Sequence, residues 1–251
     1  MKLSNEQNNV VKALTELGLS GMAEGAANQF NNEGVYSDFT FTQRLQDLID
    51  REEAHKNTQR YNRIIRQAKL KFILNFNEIH FGESDGISKD TLQYLVSNHW
   101  ALVNPVNIYI QGKTGVGKTR LCCCLLNNLA MEGHTVRFWR MCDLQQEIDR
   151  LGKDPNKLKS FTSKLVRYDV LAIDDLGLNS EPLGAQIVSV LFNIIDARLP
   201  DKPLVITTQM RPEGLLRVLG NGAQAEAIMD RLLRPSKVIV LKGESKRPKL
   251  K

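Results

Sequence analysis

Residues 112–119 read Gly-Lys-Thr-Gly-Val-Gly-Lys-Thr, and this spacing of glycines before a lysine and a hydroxyl residue suits phosphate binding. Glycines let the backbone wrap closely around phosphate oxygens, so that several N–H groups point inward at the anion. Lys118 would contact the β- and γ-phosphates, and the hydroxyl of Thr119 would bind Mg²⁺. The residues that this motif predicts to bind a nucleotide are Gly112, Lys113, Thr114, Gly115, Val116, Gly117, Lys118 and Thr119.

The segments on both sides of this motif favour a phosphate-binding loop. The apolar segment that ends at Gln111 predicts a strand, and the segment rich in leucine and cysteine from about Lys118 to Met131 predicts a helix. A helix that begins at the phosphate would point the positive end of its dipole at the anion. The alternative is a chance glycine-rich turn, and the order of strand, loop and helix argues against it.

A pair of acidic residues follows another apolar segment farther along the chain. Val170–Ile173 is apolar throughout, as expected for a central strand, and it leads directly into Asp174 and Asp175. In this arrangement Asp174 would help to hold Mg²⁺, and Asp175 would orient or deprotonate the attacking water. The alternative for Asp175 is a helix cap or a turn residue.

The identity of the base is inferred by exclusion. GTP-binding proteins with such a loop carry an [NT]KxD element for guanine. Asn156 and Lys157 begin like this element, but Leu158 and Lys159 follow them, so the aspartate that the element requires is missing. We therefore expect ATP, together with Mg²⁺, at this site.

The second part of the chain alternates segments typical of strands with segments typical of helices, which indicates a parallel sheet covered on both faces. The predicted strands are Val106–Gln111, Val136–Trp139, Val170–Ile173, Leu204–Thr207 and Lys237–Leu241. Before them, Ser88–Ala101 reads as a helix with Ser88 as its cap. We therefore predict an α/β fold from residue 69 to residue 251, with a five-stranded parallel sheet and helices on both faces.

The first 68 residues read as a small all-α domain, which we expect to bind DNA or a partner. A capping-box pattern at Thr40 and Gln43 introduces a long helix predicted from about residue 41 to 71. Residues 54 to 77 include basic but no acidic side chains, which favours a polyanionic partner. The residues predicted to contact DNA are Lys56, Arg60, Arg63 and Arg66. The alternative is an ordinary solvated helix face.

The composition is that of a soluble globular protein, since apolar residues make up 42% and charged residues 25% of the 251 residues. The formal net charge of +6 fits a polyanionic partner without requiring one. No apolar run is long enough to cross a bilayer and the N-terminus lacks a signal-peptide core, so we expect no membrane and a cytoplasmic location. The cysteines lack the spacing of a zinc site, and we interpret them as buried and reduced.

Several segments taken together resemble the AAA+ ATPases, and more closely the IstB/DnaC group. They are GKTGVGKT at the phosphate-binding loop, VLAIDDLG at the acidic pair, LVITTQ at the fourth predicted strand and AIMDRLLRPSKVIVLKGES near the C-terminus. Nearer the N-terminus, LGLSGMAE and TFTQRLQDLIDRE are also similar to IstB proteins. The resemblance covers nearly the whole chain and implies an AAA+ core without a helical lid domain.

The resemblance also implies roles for single residues. Thr207, Thr208 and Gln209, at the end of a strand, would form the first sensor near the γ-phosphate, although family members often have asparagine where Gln209 stands. Arg231 would be the arginine finger that reaches the ATP of a neighbouring subunit, and a surface ion pair with Asp230 is the alternative. Lys246 stands where family members commonly have tyrosine, so no stacking role is assigned to it. The predicted catalytic residues are Asp175, Lys118, Arg231, Thr208 and Gln209.

The function implied by the resemblance is that of an ATP-dependent, DNA-binding transposition helper. Such a protein assembles as a homo-oligomer on double-stranded DNA, hydrolyses ATP and assists an IstA-type transposase in target selection. Two alternatives stay open, a replicative helicase loader of the DnaC type and a nucleotide-gated DNA-binding scaffold with negligible turnover. A small-molecule P-loop kinase fits poorly, because neither a lid nor an acceptor pocket is recognisable.

Overall fold

The computed structural model describes residues 3–178 and 181–246 of the chain. By its internal contacts the chain divides into two compact units, Met1–Arg63 and Ile64–Lys251. The division falls inside the third helix. The domain boundary placed after residue 68 from the sequence stays a prediction.

Helices make up most of the first unit, and their starts show the capping contacts that the sequence suggests. They are α1 (Asn5–Glu16), α2 (Ser20–Asn31) and α3 (Phe41–Ala68), of which α3 continues past Arg63. The hydroxyl of Ser4 caps α1 by accepting a hydrogen bond from the N–H of Gln7 at 3.2 Å. At α3 the predicted capping box is present, since the N–H of Thr40 donates to Oε1 of Gln43 at 2.8 Å and the N–H of Gln43 donates to Oγ1 of Thr40 at 3.3 Å.

Helices α2 and α3 approach closely because a glycine of α2 places no side chain between them. A Cβ atom at Gly21 would lie 2.6 Å from the carbonyl oxygen of Arg51. Nearby, the buried carboxylate of Glu52 accepts a hydrogen bond from the N–H of Met22 at 3.1 Å and pairs with Nζ of Lys56 at 3.3 Å. Lys56 is therefore tied to the interior of this unit, although its own side chain is exposed.

The second unit is built on a wholly parallel, five-stranded sheet with the order β2-β3-β4-β1-β5. Its strands are β1 (Asn107–Gly112), β2 (Val136–Arg140), β3 (Val170–Asp174), β4 (Leu204–Thr208) and β5 (Ser236–Leu241). Its helices after α3 are α4 (Lys89–Val96), α5 (His99–Leu102), α6 (Lys118–Met131), α7 (Met141–Leu151), α8 (Pro155–Arg167), α9 (Ala185–Arg198), α10 (Pro212–Val218) and α11 (Ala223–Leu233). Strands β3 and β4 are buried along their whole length, as expected where helices cover both faces.

The fold class predicted from the sequence is confirmed. Each predicted strand is observed, and none of its ends differs by more than one residue from the prediction. Strand β5 ends at Leu241, and no helix follows it within the described residues up to Lys246. In the described ranges no helix combines the length and the apolar character needed to span a lipid bilayer.

Two helices end earlier than the sequence predicts. The segment Ser88–Ala101 was expected to be one helix, but it splits into α4 and α5 because Asn98 adopts a φ of 56°. The buried side chain of Asn98 donates to Oε1 of Glu132 at 2.8 Å, a long-range contact that stabilises the break. Helix α3 ends at Ala68, and the next residue, Lys69, also adopts a φ of 56°.

The cysteines are placed as predicted with one exception. Cys122, Cys123 and Cys124 lie buried in α6, whereas Cys142 is exposed, so its predicted burial is wrong. Burial raises the pKa of Cys123 to about 11 and that of Cys124 to about 12, which keeps both as thiols at neutral pH. Among the described residues no group of three or more metal-ligating side chains of the His, Cys, Asp and Glu types is present.

A buried arginine holds together the amino ends of two central strands. The guanidinium of Arg198 donates to the carbonyl oxygens of Leu165 and Tyr168 at 2.9 Å, and to those of Asp169 and Pro203 at 3.0 Å. These carbonyls precede β3 and β4, and burial lowers the pKa of Arg198 to about 10. The opposite, carboxyl ends of the strands are the edge where parallel sheets of this kind form ligand sites.

Candidate nucleotide-binding site

The glycine-rich loop lies between the carboxyl end of β1 and the first turn of α6. Gly115 and Gly117 adopt φ angles of 87° and 104°, which glycine enters readily because it has no Cβ atom. Gly117 is the N-terminal cap of α6, so the N–H groups of the first helical turn, which have no carbonyl partner within the helix, lie beside the loop. The side chain of Lys118 is buried, and its Nζ donates to the carbonyl oxygen of Lys113 at 3.1 Å.

Two other segments pack tightly on the glycines of this loop. A Cβ atom at Gly115 would lie 2.7 Å from Cβ of Ser245, and one at Gly117 would lie 2.9 Å from the ring of Phe81. In addition, the N–H of Lys246 donates to the carbonyl oxygen of Gly115 at 2.9 Å. The segment after β5 and the segment before α4 therefore hold the loop in shape, and neither glycine has room for a larger residue.

Asp174 is the buried acid of the site, at the end of β3. Both of its carboxylate oxygens accept a hydrogen bond from Oγ1 of Thr119 at 3.0 Å, and Oδ1 accepts a second from Oγ1 of Thr207 at 2.6 Å. Burial raises the pKa of Asp174; the hydroxyl of Thr207 opposes the shift, and the charge of Asp175 adds to it. The result is a cluster of carboxylate and hydroxyl oxygens, the donor type that Mg²⁺ prefers.

Asp175 is turned away from Asp174 by an unusual backbone conformation. Its φ is 58°, in the left-handed region that non-glycine residues seldom adopt and that occurs disproportionately at functional sites. The N–H of Asp175 donates to Oγ1 of Thr207 at 2.9 Å, which fixes this turn. As a result Asp174 stays within the sheet, and Asp175 lines an open cavity.

The polar residues at the end of β4 lie in different environments. Gln209 lines the cavity, and its Oε1 accepts a hydrogen bond from Oγ1 of Thr114 at 2.6 Å. Thr208 is fully buried, and its hydroxyl donates to the carbonyl oxygen of Leu176 at 2.7 Å. The structure thus places Thr208 outside the cavity, and Thr207, which contacts Asp174, is the threonine that belongs to the site.

These residues surround a cavity of about 410 Å³, which is in the size range of small-molecule sites. The predicted site residues that line it are Thr114, Gly115, Gly117, Lys118, Thr119, Asp175 and Gln209. The residues that line it without having been assigned to the site from the sequence are Lys71, Phe72, Arg120, Leu178 and Lys246. Arg120 could have been found because it directly follows the motif. Lys71 and Phe72 reach the loop only through the fold, so no local spacing identifies them.

Lys246 ties the loop to the segment before α4. Its Nζ pairs with Oδ1 of Asp85 at 2.7 Å and donates to the carbonyl oxygen of His80 at 3.1 Å. The same ammonium lies 4.3 Å from the centroid of the Phe81 ring, a cation–π contact. The aromatic surface beside the loop therefore comes from Phe81, and Lys246 holds it in place.

Arg231 lies on the last turn of α11, apart from this cavity. Its Nε pairs with Oδ1 of Asp196 at 2.8 Å, and its guanidinium carbon lies 5.0 Å from the centroid of the Phe192 ring. The ion pair with Asp230 that the sequence suggested as an alternative is wrong, because Asp230 pairs with Arg234. Arg231 is not among the described residues that line the cavity.

The basic residues predicted to contact DNA are all exposed on α3. They are Lys56, Arg60, Arg63 and Arg66. Lys56 is the member of this set with an ion-pair partner, since it contacts Glu52 one turn earlier in the helix.

Comparison with known proteins agrees with nucleotide binding and with the fold. The model of the IstB-like ATP binding protein family matches residues 12–251. A putative insertion sequence ATP-binding protein of Sinorhizobium fredii, y4pL, is 27% identical over 234 residues, which span 93% of this chain and 94% of the relative.

Two solved structures have a similar fold over about three quarters of the chain. The crystal structure of DnaI superposes with a TM-score of 0.56 at 21% identity, covering 74% of this chain and 93% of that one. The crystal structure of the DnaC helicase loader gives a TM-score of 0.50 at 22% identity, covering 73% and 99%. These likenesses establish the AAA+ type of fold, and the family match extends over almost every residue of the sequence. The chain therefore belongs to the family of IstB-like ATP-binding proteins.

Proposed function

We propose that this protein is an Mg²⁺-dependent ATPase that assembles as a homo-oligomer on double-stranded DNA and assists an IstA-type transposase in selecting its target. The observation that carries the ATPase part is the contact of Thr119 and Thr207 with the buried Asp174, directly beneath the glycine-rich loop. Family membership and the insertion-sequence relatives support the transposition part.

The oxygen atoms beside the loop fit a magnesium ion. The hydroxyl of Thr119 and the carboxylate of Asp174 offer oxygen ligands of the kind that Mg²⁺ prefers. They already lie within hydrogen-bonding distance of each other. We propose that these two residues hold Mg²⁺. When bound, the ion neutralises charge on the β- and γ-phosphate oxygens.

The remaining groups of the cavity would position the γ-phosphate and the attacking water. Lys118 and the N–H groups at the start of α6 would bind the phosphates, because both present positive charge to the loop. Asp175, turned into the cavity by its left-handed backbone, would accept the proton of the water or orient it. Gln209, which already contacts Thr114, would act as the first sensor.

Arg231 would complete the site from a neighbouring copy of the chain. It is a solvent-accessible guanidinium at a helix end, and it does not line the cavity of its own chain. An arginine supplied by a second subunit stabilises negative charge that develops on the transferred phosphoryl group. Hydrolysis would then depend on assembly.

The exposed basic residues of α3 would bind the DNA backbone. Arg60, Arg63 and Arg66 have no carboxylate partner among the described residues, so their charge is available to phosphates. Contacts of this type are independent of base sequence and weaken as salt rises. A helper that must act at many target sites needs binding of this kind.

The central experiment measures ATP turnover with and without duplex DNA, over a range of protein concentrations. We expect hydrolysis that requires Mg²⁺, rises with DNA and rises more steeply than linearly with protein concentration, because two copies form each active site. ATP binding without any DNA-stimulated turnover would contradict the ATPase and favour a nucleotide-gated scaffold.

A second experiment addresses the partner. The protein is immobilised with ATP and duplex DNA and exposed separately to an IstA-type transposase and to a replicative helicase. We expect retention of the transposase. Retention of the helicase alone would contradict the transposition role and favour a loader, the activity in the name of the DnaC structure that shares this fold.

A further inference from the structure

The segment that follows α3 leads directly from the long helix to the nucleotide cavity. Helix α3 ends at Ala68, and Lys69 turns the chain with a φ of 56°. Lys71 and Phe72, which come next, both line the cavity formed by the glycine-rich loop, Asp175 and Gln209. The segment therefore brings one more positive charge to a site that is built for a polyanion.

The end of α3 is fixed to the sheet, which gives this segment a defined position. Nη1 of Arg137, on β2, donates to the carbonyl oxygen of Gln67 at 2.6 Å, in the last turn of α3. The guanidinium carbon of Arg137 lies 4.6 Å from the centroid of the Trp139 ring on the same strand. Strand β2 pairs with β3, the strand that ends in Asp174, so the anchor and the buried acid share one rigid sheet.

Lys71 lies close enough to the metal-binding side of the cavity to act on its groups. Its positive charge lowers the pKa of Asp174, against the larger effect of burial, and it also acts on Cys123 of α6. The backbone of Lys71 and Phe72 contacts the thiol of that same cysteine. Lys71 is thus held beside the first turns of α6, on the side where Thr119 meets Asp174.

The ammonium of Lys71 acts on Asp174 without forming an ion pair with it. In residues 3–178 and 181–246 no acidic group pairs with it, and its Nζ lies 5.6 Å from the centroid of the adjacent Phe72 ring. The other lysine that joins the cavity from a distant segment, Lys246, is by contrast paired with Asp85. An unpaired cation beside a phosphate-binding loop is attracted to whatever anion the loop binds.

We infer that Lys71 is a second lysine of the nucleotide site, which binds the terminal phosphate of ATP from the side where Thr119 and Asp174 lie. This inference rests on the proposed ATP binding and adds a contact that distinguishes ATP from ADP. Because Lys71 acts from the side of Thr119 and Asp174, it would contact the γ-phosphate and leave ADP largely unaffected. The end of the basic helix α3 would in this way sense which nucleotide is bound.

The test compares ATP and ADP affinities by titration calorimetry, with Mg²⁺, for the full chain and for Lys71→Ala. We expect the affinity for ATP to fall roughly 10-fold at low salt and that for ADP to fall less than about 3-fold, because only ATP offers the γ-phosphate for a charge-assisted hydrogen bond from this lysine. Lys71→Arg should restore most of the ATP affinity. Lys69→Ala is the matched control, since it removes the same charge two residues away and outside the lining of this cavity.

Each outcome decides either the contact or the site. Equal losses of ATP and ADP affinity in Lys71→Ala, or the same loss in Lys69→Ala, would overturn the inference and indicate a general effect of structure or charge. Unchanged ATP affinity with weakened DNA binding would also overturn it and assign Lys71 to DNA phosphates.

The Lys118→Ala variant separates failure of the Lys71 contact from failure of the proposed ATP site. If Lys118→Ala abolishes ATP binding while Lys71→Ala does not alter it, Lys71 fails and the proposed site stands. If the wild-type chain binds no ATP, both fail.

Discussion

The cavity at the glycine-rich loop and the surface around Arg231 differ in how much of their chemistry one chain supplies. Beside the cavity, the buried Asp174 is already in contact with Thr119 and Thr207. Arg231 lies outside that cavity, with its side chain 34% exposed and paired with an Asp196 that is itself 50% exposed. The first region is assembled by the fold, whereas the second lies part-exposed outside the cavity, and we propose that it acts on another copy of the chain.

This difference separates binding from turnover. A preassembled set of phosphate and metal ligands allows a single chain to bind nucleotide, since those groups need no reorganisation. An arginine outside the cavity contributes only when a second chain brings it to a bound nucleotide. We therefore expect binding to be a property of the monomer and hydrolysis to be a property of the assembly.

The largest expected effect comes from breaking the preassembled region with Asp174→Asn. Turnover should fall by at least ~1,000-fold, because losing the metal's stabilisation of the phosphate charge removes several kcal/mol from the transition state. A steady-state phosphate-release assay with DNA measures this. Residual turnover above a tenth of wild type would show that Asp174 is not a metal ligand.

Thermal unfolding of the same variant shows whether it is folded. Since burial raises the pKa of Asp174, the folded state favours the neutral form, and the destabilisation grows as pH rises from the ordinary pKa of an aspartate to the folded pKa and stays constant above it. Asparagine removes that cost at neutral pH. Without nucleotide the variant should unfold at a temperature no lower than wild type, and any advantage should shrink toward acidic pH.

The second effect concerns the part-exposed region around Arg231. Arg231→Ala should lower turnover about 1,000-fold, the lower end of what an arginine finger contributes, while leaving ATP affinity unchanged. Arg234→Ala is the matched control, because Arg234 is an exposed arginine at the end of the same helix, paired with Asp230. Loss of ATP affinity in Arg231→Ala would place this arginine in its own chain's site.

A mixture of two inactive variants sharpens the same point. An Arg231→Ala chain keeps its cavity, and an Asp174→Asn chain keeps its arginine, so a mixed interface contains one complete site. Turnover should reappear on mixing. Failure of the mixture to exceed the sum of its components, with assembly intact, would exclude an arginine supplied between chains.

The third effect tests the basic face of α3. Replacing Lys56, Arg60, Arg63 and Arg66 together by alanine should weaken duplex binding and make it less dependent on salt, by about 0.9 in the log–log slope for each DNA phosphate that the variant no longer neutralises. Fluorescence anisotropy over a salt series measures both quantities. The control removes the same charge from other exposed lysines, namely Lys12, Lys89, Lys153 and Lys159. Equal losses of duplex affinity in the two variants would show that the effect comes from net charge and not from this face of α3.

The smallest effect concerns the partner of Arg231 within its own chain. Asp196→Ala should raise turnover at limiting protein concentration by up to about 5-fold, since an exposed ion pair is worth at most about 1 kcal/mol and Arg231 must leave it to act elsewhere. Turnover assays at protein concentrations too low for complete self-assembly measure this. A decrease in turnover would mean that Asp196 orients Arg231 for catalysis and does not compete with it.

The sequence predicted the sheet well because its strands are short apolar runs that end in polar loops. It predicted the loop and Asp174 for the same reason, since each motif directly follows a strand. The break at Asn98 was missed because its cause is a contact with Glu132, thirty-four residues away. Local propensity contains no information about such a partner.

The cavity lining shows the same limit. Gln209 could be predicted because it directly follows β4, in a segment that resembles the IstB/DnaC group. Lys71, Phe72 and Lys246 reach the cavity from segments that carry no nucleotide motif, and their positions depend on the ends of α3 and β5. The side chains that shape a site from distant segments are those that pattern reasoning finds last.

The close approach of the segment after β5 to the glycine-rich loop affects how the protein is best labelled. The N–H of Lys246 donates to Gly115, and Ser245 lies against that glycine. Five residues separate Lys246 from a purification tag fused after Lys251, so such a tag would be attached close to this contact in the sequence. Tags therefore belong before α1, and Ser245 is best left unlabelled because its side chain packs against Gly115.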